Sequence, residues 1–158
     1  MNSQPDRLAA LAQGVLRIVI GFLFWSHGAQ KLLGWFGGMG PDGGTVPLAS
    51  LMGLAGIIEF VGGALIMIGL FTRPAAFIAS GEMAVAFFLQ HVPTGGLWPL
   101  LNQGEPAALY AFTFLFFAAA GAGALGVDVW RSRRRVVRRM PAEEAVPAES
   151  ERRRRRGA

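Results

Sequence analysis

Residues 8–33 read LAALAQGVLRIVIGFLFWSHGAQKLL, and this stretch decides the fold class. It is an apolar run that contains two charged residues, Arg17 and Lys31. About 20 mostly apolar residues are enough to cross the hydrocarbon core of a bilayer, so the run predicts a membrane-spanning helix. Arg17 interrupts the run and no small-residue cleavage motif follows it. We therefore interpret it as a helix of the mature protein and not as a signal peptide.

Three further apolar stretches follow, at residues 48–71, 74–91 and 106–127. The chain of 158 residues is 53% hydrophobic and 16% charged, whereas soluble domains carry about 25% charged residues. No stretch shows the alternating pattern of a strand. We therefore predict an all-α fold, with a four-transmembrane-helix bundle at residues 1–130 and a disordered, Arg-rich tail at residues 131–158.

The distribution of arginine predicts the orientation. Eleven of the fourteen arginines lie in the tail, and four spans place Arg7 and Arg73 on the same side as the tail. Short segments rich in Lys and Arg stay in the cytoplasm. The abundance of Arg, Ala and Gly is typical of a GC-rich bacterial genome. We therefore expect a multi-pass protein of a bacterial plasma membrane with both termini in the cytoplasm. The tail would then contact anionic lipid of the bilayer and no specific nucleic acid.

Three ionisable side chains lie well inside the apolar stretches, namely Arg17, Glu59 and Glu82. Burying such a residue in a span costs at least about 2.5–3.5 kcal/mol, so these residues usually face protein and have a partner. Counted along the helices, all three lie near the midplane, and we expect an intramembrane charge cluster in which Arg17 pairs with one glutamate. The other glutamate would be protonated or bonded elsewhere and would be able to exchange a proton. The alternative is that the three residues only hold the bundle in register.

Small residues accompany these charges at helical spacing. Because small residues let helices approach closely in lipid, we expect these stripes to face the interior of the bundle. A further small-residue seam is expected in the fourth helix. The stripes are Gly14, Arg17, Gly21, Phe24, Gly28 and Lys31 in the first helix, Gly56, Glu59 and Gly63 in the second, Ala79, Glu82, Ala86 and Gln90 in the third, and Ala118, Ala122 and Gly126 in the fourth.

A second polar cluster is expected at the outer ends of the helices. It would offer a cation, imidazoles, an amide and a carboxylate to one polar head group. Interface anchoring and helix capping are the alternative role for each residue. In a regular helix, His91 would point away from Glu82, which lies nine residues earlier. The members of this candidate head-group site are His27, Lys31, His91, Asn102 and Glu105.

The chain contains no cysteine, which excludes disulfides, thiolate metal sites and thiol–disulfide chemistry. The histidines lack the spacing of metal-binding motifs such as H-E-x-x-H, and we predict no metal site. We also expect no covalently bound cofactor. The identity of any catalytic residue, and whether the chain is an enzyme, are left open by the sequence.

Four motifs run through the apolar part of the chain. They are R-x3-G-x5-HG-x2-K (Arg17, Gly21, His27, Gly28, Lys31), E-x2-GG-x6-G followed by TR (Glu59, Gly62, Gly63, Gly69, Thr72, Arg73), N-x-GE (Asn102, Gly104, Glu105), and G-x-G with a following Asp (Gly121, Gly123, Asp128). Together these motifs resemble those of the DoxX family, over residues 8–128. The resemblance implies a four-helix membrane bundle related to the membrane subunits of thiosulfate:quinone oxidoreductases and of other redox or oxidative-stress complexes.

The resemblance favours a membrane subunit of a redox system, with a quinone or a redox protein as partner. The chain would bind, orient and protonate, while a cofactor-bearing partner moved electrons. In this hypothesis His27 and Lys31 bond a quinone carbonyl, and Glu59 or Glu82 supplies a proton path. Two alternatives stay open: a scaffold or assembly protein without catalysis, and a small-solute or proton-coupled transporter. A homo-oligomer is compatible with all three.

Overall fold

The structure, a computed structural model, describes residues 4–39 and 42–132, and every regular element in those residues is helical. The prediction of an all-α fold is confirmed. The disordered tail predicted at residues 131–158 lies, from residue 133 onward, outside the described residues. The main helices are α1 (Gln4–Leu33), α2 (Leu51–Ile68), α3 (Thr72–Gly95) and α4 (Glu105–Ala120). Shorter helical pieces are the 3-10 turn Trp35–Gly37, the one-turn helix Pro99–Asn102 and residues 127–132.

Two of the main helices contain a π turn, in which each amide bonds to the carbonyl five residues earlier. Such a turn holds one extra residue and rotates the part of the helix that follows it. The turn in α2 is Ile58–Gly62, between Leu51–Ile57 and Gly63–Ile68. The turn in α3 is Phe87–His91, between Thr72–Ala86 and Val92–Gly95.

α1 and α2 run antiparallel and approach closely because glycines face the neighbouring backbone. A Cβ atom added to Gly28 would lie 2.3 Å from the backbone nitrogen of Phe60. A Cβ atom added to Gly63 would lie 2.6 Å from the backbone nitrogen of Trp25. No side chain larger than hydrogen fits at either position, so these contacts set the register of the two helices.

The helix faces predicted to point inward are confirmed for α1 and α2. All six residues of the α1 stripe and all three residues of the α2 stripe are buried. In α3, Ala79 is buried, Glu82 and Ala86 are half-buried, and Gln90 is exposed. The 3/4 spacing of small and charged residues therefore identified the inner face of the first two helices correctly.

The hydrophobic core lies where α3 and α4 pack against each other and against α1. The rings of Phe24 and Phe114 meet edge to face, with centroids 4.6 Å apart. The hydroxyl of Ser80 donates to the carbonyl of Ala111 at 2.8 Å, so this polar group of α3 is satisfied within the interface. The fully buried apolar residues of the core are Phe24, Ile66, Ala76, Ala79, Phe114 and Phe117.

Three helical segments are long and apolar enough to cross a membrane: Asp6–Leu33, Leu51–Ile68 and Thr72–Gly95. At most 28% of the residues in each apolar window are buried, so most of each helix presents apolar side chains to its surroundings, as lipid-facing helices do. α4 is equally apolar but has 16 residues. At 1.5 Å per residue it is about 24 Å long, shorter than a hydrocarbon core of about 30 Å.

The fourth predicted span, residues 106–127, is wrong at its C-terminal end. α4 ends at Ala120 because Gly121 and Gly123 have φ angles of 88° and 67°, outside the right-handed helical region. The small-residue seam predicted through Ala122 is therefore not a helical stripe. The segment is instead a turn that packs on the start of α1.

The other predicted spans, 8–33, 48–71 and 74–91, match helices whose ends differ. α1 begins four residues earlier, at Gln4. α2 is shorter at both ends, since the hydroxyl of Ser50 caps its first turn and Gly69 ends it in a left-handed conformation. α3 begins two residues earlier than predicted, at Thr72, and continues beyond His91 to Gly95.

Candidate functional site

A cavity of about 540 Å³ lies at the end of the bundle where α1 and α3 end and where α2 and α4 begin. We call it the outer cavity. Its volume falls within the roughly 300–1,000 Å³ typical of small-molecule sites. Most of its lining is apolar, and a few polar side chains converge on it. The polar residues that matter here are His27, Lys31, Glu59, Glu82, His91 and Tyr110.

A buried ion pair forms the most polar part of the outer cavity. The ammonium of Lys31 donates to both carboxylate oxygens of Glu59, at 2.7 and 2.6 Å. Both residues are buried, with exposed fractions of 7% and 3%. Such a pair is held only where the geometry is good, because both charges lose their hydration.

The positions of Lys31 and Glu59 follow from the local structure of α1 and α2. Gly28, one turn before Lys31, lets the two backbones meet at Phe60. Glu59 lies in the π turn Ile58–Gly62, and its side chain points toward α1. π turns inside helices often mark functional sites, because they re-aim one side chain without ending the helix.

Glu82 enters the same cavity from α3, within electrostatic range of Glu59 and Lys31. Its Oε2 atom is shielded from solvent and has no hydrogen-bond partner within the described part of the chain. A buried polar atom without a partner costs about 1–3 kcal/mol. A proton on this oxygen, or a donor group of a ligand, would remove that cost.

His91 also faces the outer cavity, contrary to the expectation that it would point away from Glu82. The π turn Phe87–His91 explains the difference. Nine residues of regular α-helix give about 180° of rotation, and one extra residue in a turn reduces this to roughly 80°. The Nδ1 atom of His91 lies 3.1 Å from the backbone oxygen of Asn102, which orients the imidazole ring.

His27 and Tyr110 meet across the cavity from α1 and α4. Their rings are edge to face, with centroids 6.1 Å apart. Tyr110 was missed by the sequence reasoning. It is the single tyrosine of the chain and one of the few polar residues inside a mostly apolar helix, and this is the signal that would have identified it.

The prediction that Arg17 pairs with a glutamate is wrong. Its guanidinium donates to the carbonyls of Ile66, Met67, Ala122 and Leu125, and the last three of these bonds are 2.6 to 3.1 Å long. Arg17 lies fourteen residues before Lys31, about 21 Å along α1. It is therefore remote from the Lys31–Glu59 pair and binds carbonyls at the C-terminal end of α2, where a cation also complements the helix dipole.

The predicted cluster of Arg17, Glu59 and Glu82 is thus divided between the two ends of the bundle. Glu59 and Glu82 line the outer cavity, and Arg17 lies toward the opposite end of the bundle, level with the last turn of α2. The depth estimate failed because it counted each residue from the start of its own predicted span. In the structure Arg17 is level with Ile66 and Met67 in the last turn of α2, and Glu59 is nearer to the outer cavity because α2 begins three residues later than expected.

The candidate head-group site is likewise only partly assembled. His27, Lys31 and His91 line the outer cavity, whereas Asn102 and Glu105 do not. The buried amide of Asn102 donates to the carbonyl of Gly96 and accepts from the amide of Gly104, both at 2.7 Å. Asn102 therefore shapes the connection before α4, and Glu105 is exposed in the first turn of that helix.

No group of three His, Cys, Asp or Glu residues is placed to hold a metal ion in residues 4–39 and 42–132. The acidic and imidazole groups of the outer cavity therefore do not form a ligand set of that kind. What they offer is a carboxylate–ammonium pair, a carboxyl oxygen without a partner, two imidazoles and a phenol around an apolar space.

Comparisons with known proteins identify the family of the chain. The family model described as DoxX matches residues 12–92, which include α2 and most of α1 and α3. An uncharacterized protein of Haemophilus influenzae is 46% identical over 115 residues, covering 72% of this chain and 85% of that protein. No solved structure matches the chain significantly. On the family match and this close similarity, the chain belongs to the DoxX family.

Proposed function

We propose that this protein is a membrane subunit of a redox or oxidative-stress system that binds a quinone in the outer cavity. The observation that carries the proposal is the composition of that cavity. It is an apolar space of about 540 Å³ onto which a buried ion pair, an unpartnered carboxyl oxygen, imidazoles and a phenol converge. Such a combination suits a ligand with an apolar body and two polar oxygens.

The donors and acceptors of the cavity fit a quinone head group. An ammonium has three N–H donors, and Lys31 directs two of them at Glu59, which leaves one for a ligand carbonyl. His27 and the hydroxyl of Tyr110 add further donors nearby. When bound, a quinone would supply the capacity to take up two electrons and two protons.

Glu82 is the group of this chain that we assign to proton exchange with the ligand. Glu82 lines a ligand-sized space, and its Oε2 atom is buried with no partner among the described residues. A carboxyl in this setting alternates between donating a hydrogen bond when protonated and accepting one when ionised. Both carboxylate oxygens of Glu59 accept hydrogen bonds from Lys31. Glu59 therefore fixes the position of the Lys31 ammonium, which is the donor to the ligand.

The proposal includes an orientation. Four membrane-crossing segments would place the outer cavity opposite the Arg-rich tail, and the excess of positive charge would keep that tail in the cytoplasm. The cavity would then open in the outer half of a bacterial plasma membrane. Electrons would come from a cofactor-bearing partner, since this chain has no cysteine for thiol–disulfide chemistry.

The test is the quinone content of the protein after purification in mild detergent from its own membrane. Near-stoichiometric quinone is expected in the wild type, and a strong reduction in His27→Leu, Tyr110→Phe and Glu82→Gln. Glu105→Gln is the matched control for Glu82→Gln, because it is the same substitution at an exposed position outside the cavity. Well-folded wild-type protein with no quinone above the level of the bulk lipid would overturn the proposal and favour a scaffold.

A further inference from the structure

The walls of the outer cavity differ in polarity. The apolar wall belongs to the outer parts of α2 and α3 and contains Leu51, Leu54, Val85 and Leu89. Each of these side chains lines the cavity and yet has an exposed fraction between 50% and 55%. We call these four residues the α2–α3 rim. They face the cavity and the surroundings of the protein at the same time.

α2 and α3 separate from each other toward the end that carries this rim. Near the turn that joins them, Ile58–Gly62 and Gly63–Ile68 pack against α3. The segment Leu51–Ile57 instead makes its main contacts with α1. The two helices therefore leave a lateral gap at the outer cavity, and the α2–α3 rim borders that gap on both sides.

We propose that the ligand of the outer cavity enters from the bilayer through this gap and that its apolar tail lies between α2 and α3. The inference rests on the proposed function and adds to it the route and the orientation of the ligand. The polar head group would lie deeper, beside Lys31 and Glu82, and the tail would contact the aliphatic rim.

The arrangement of polar groups along the helices supports this orientation. Glu59 lies five and eight residues beyond Leu54 and Leu51 in α2, and Glu82 lies three and seven residues before Val85 and Leu89 in α3. Both carboxyls are therefore deeper than the rim, by roughly 5–12 Å along the helices. The charged partners that the cavity offers to a head group, Lys31, Glu59 and Glu82, lie at that depth. The aliphatic side chains that border the gap form no hydrogen bonds with a polar solute. Their contact with lipid tails carries no desolvation penalty.

A second route would lead from the aqueous side, where Gln30, Gln90 and Gln103 line the cavity. A water-soluble ligand would be expected to use that route. Part of it is covered, since the side chain of Gln30 donates to the carbonyl of Gly38 at 3.2 Å and Met39 also lines the cavity. The two routes predict different accessibility of the cavity to lipid.

The first experiment measures that accessibility without any quinone. Because the chain has no cysteine, Ala55→Cys places one fluorescent bimane label in the cavity wall. The full-length protein is reconstituted in phosphatidylcholine vesicles with brominated acyl chains, which quench a bimane that they touch. Phe112→Cys, on an exposed face of α4, is the lipid-facing reference, and Ala111→Cys, at the α3–α4 interface, is the shielded reference.

The second experiment closes the gap. A bismaleimide cross-link in the double variant Leu54→Cys/Val85→Cys is expected to slow release of a decyl-tailed benzoquinone by at least about tenfold. The controls are the uncross-linked double variant and the two single variants treated with the same reagent. Release is compared with theirs and not with the wild type, because loss of the Leu54 and Val85 side chains by itself removes contacts with the tail.

The outcomes separate the two proposals. Quenching at position 55 close to that at position 112, together with slower release after cross-linking, supports the lateral route. Quenching at position 55 no stronger than at position 111 overturns it, and so does unchanged release from a cross-linked protein that binds the benzoquinone. Strong quenching at position 55 in a protein that binds no benzoquinone would support the lipid-facing gap. It would overturn only the proposal that the ligand is a quinone.

Discussion

The ammonium of Lys31 lies between the two carboxylate oxygens of Glu59, at 2.7 and 2.6 Å, in a pair that joins the end of α1 to the π turn of α2. Both side chains are buried. The pair therefore sets the local packing of two helices and at the same time supplies the charged end of the outer cavity. Its contribution to stability and its contribution to ligand binding are separable by mutation.

Removing one partner of this pair should cost more than removing both. Lys31→Met leaves the Glu59 carboxylate buried without its cation, and we expect a loss of about 3–5 kcal/mol in the free energy of unfolding. The double variant Lys31→Met/Glu59→Leu should recover most of that loss. The measurement is denaturant unfolding in detergent for the single and double variants. Equal destabilisation of both would contradict the assignment of a compensated buried pair.

Arg17 should contribute to stability and not to ligand binding. Its guanidinium bonds four carbonyls near the C-terminal end of α2, and Arg17→Gln loses most of these bonds. We expect the free energy of unfolding to fall by at least about 2 kcal/mol. The quinone content of the fraction that stays folded should be unchanged, because Lys31 is about 21 Å away along α1.

Arg7→Gln is the control for this substitution, since Arg7 is exposed near the start of the same helix. It should change stability by no more than about 0.5 kcal/mol. A folded Arg17→Gln protein that has lost its quinone would place Arg17 in the ligand site after all.

Substitution by alanine should affect the melting temperature differently at two adjacent glycines of α2, Gly62 and Gly63. Gly63→Ala brings a methyl group to 2.6 Å from the backbone of Trp25, so α1 and α2 must separate. A Cβ atom added to Gly62 meets nothing within 4 Å. We expect Gly63→Ala to lower the melting temperature clearly, and Gly62→Ala to leave it unchanged or raise it, since alanine favours a helix over glycine by about 1 kcal/mol. Similar behaviour of the two variants would show that the helices are not in contact at this level.

Asp128 should stabilise the start of α3 from a distant part of the chain. Its two carboxylate oxygens accept the backbone amides of Phe71 and Thr72, at 3.0 and 2.9 Å. Asp128→Ala removes this cap and should cost about 1 kcal/mol, as the loss of other N-terminal caps does. Asp42→Ala, at an exposed loop position, is the control. The difference between the two melting temperatures is the measurement, and no difference would argue against a capping role.

Much of the fold could be predicted from the sequence because it depends on patterns within single helices. Apolar length identified the membrane helices, and the spacing of Gly14, Arg17, Gly21 and their successors identified the buried face of α1. Both patterns arise from the geometry of one α-helix, which the order of residues reveals directly.

The candidate site could be predicted only in part, because it depends on relations between helices. The partners of Arg17 are backbone carbonyls, which leave no trace in a sequence. The position of His91 depends on a π turn that regular periodicity does not reveal. His27 and Lys31 were correctly placed together since they are one turn apart in a single helix.

The two ends of the bundle also differ in how strongly hydrogen bonds connect α2 and α3 to the rest of the chain. At the end opposite the outer cavity, Arg17 bonds the last turn of α2, and Asp128 accepts hydrogen bonds from the start of α3. These contacts connect the turn between the two helices to the rest of the chain. Measured from that turn, α3 extends about 26 Å between Thr72 and Leu89. A tilt of only about 5° at the turn displaces the far end by roughly 2 Å. A small change of angle between α2 and α3 at this turn would therefore be amplified into a change of width at the α2–α3 rim.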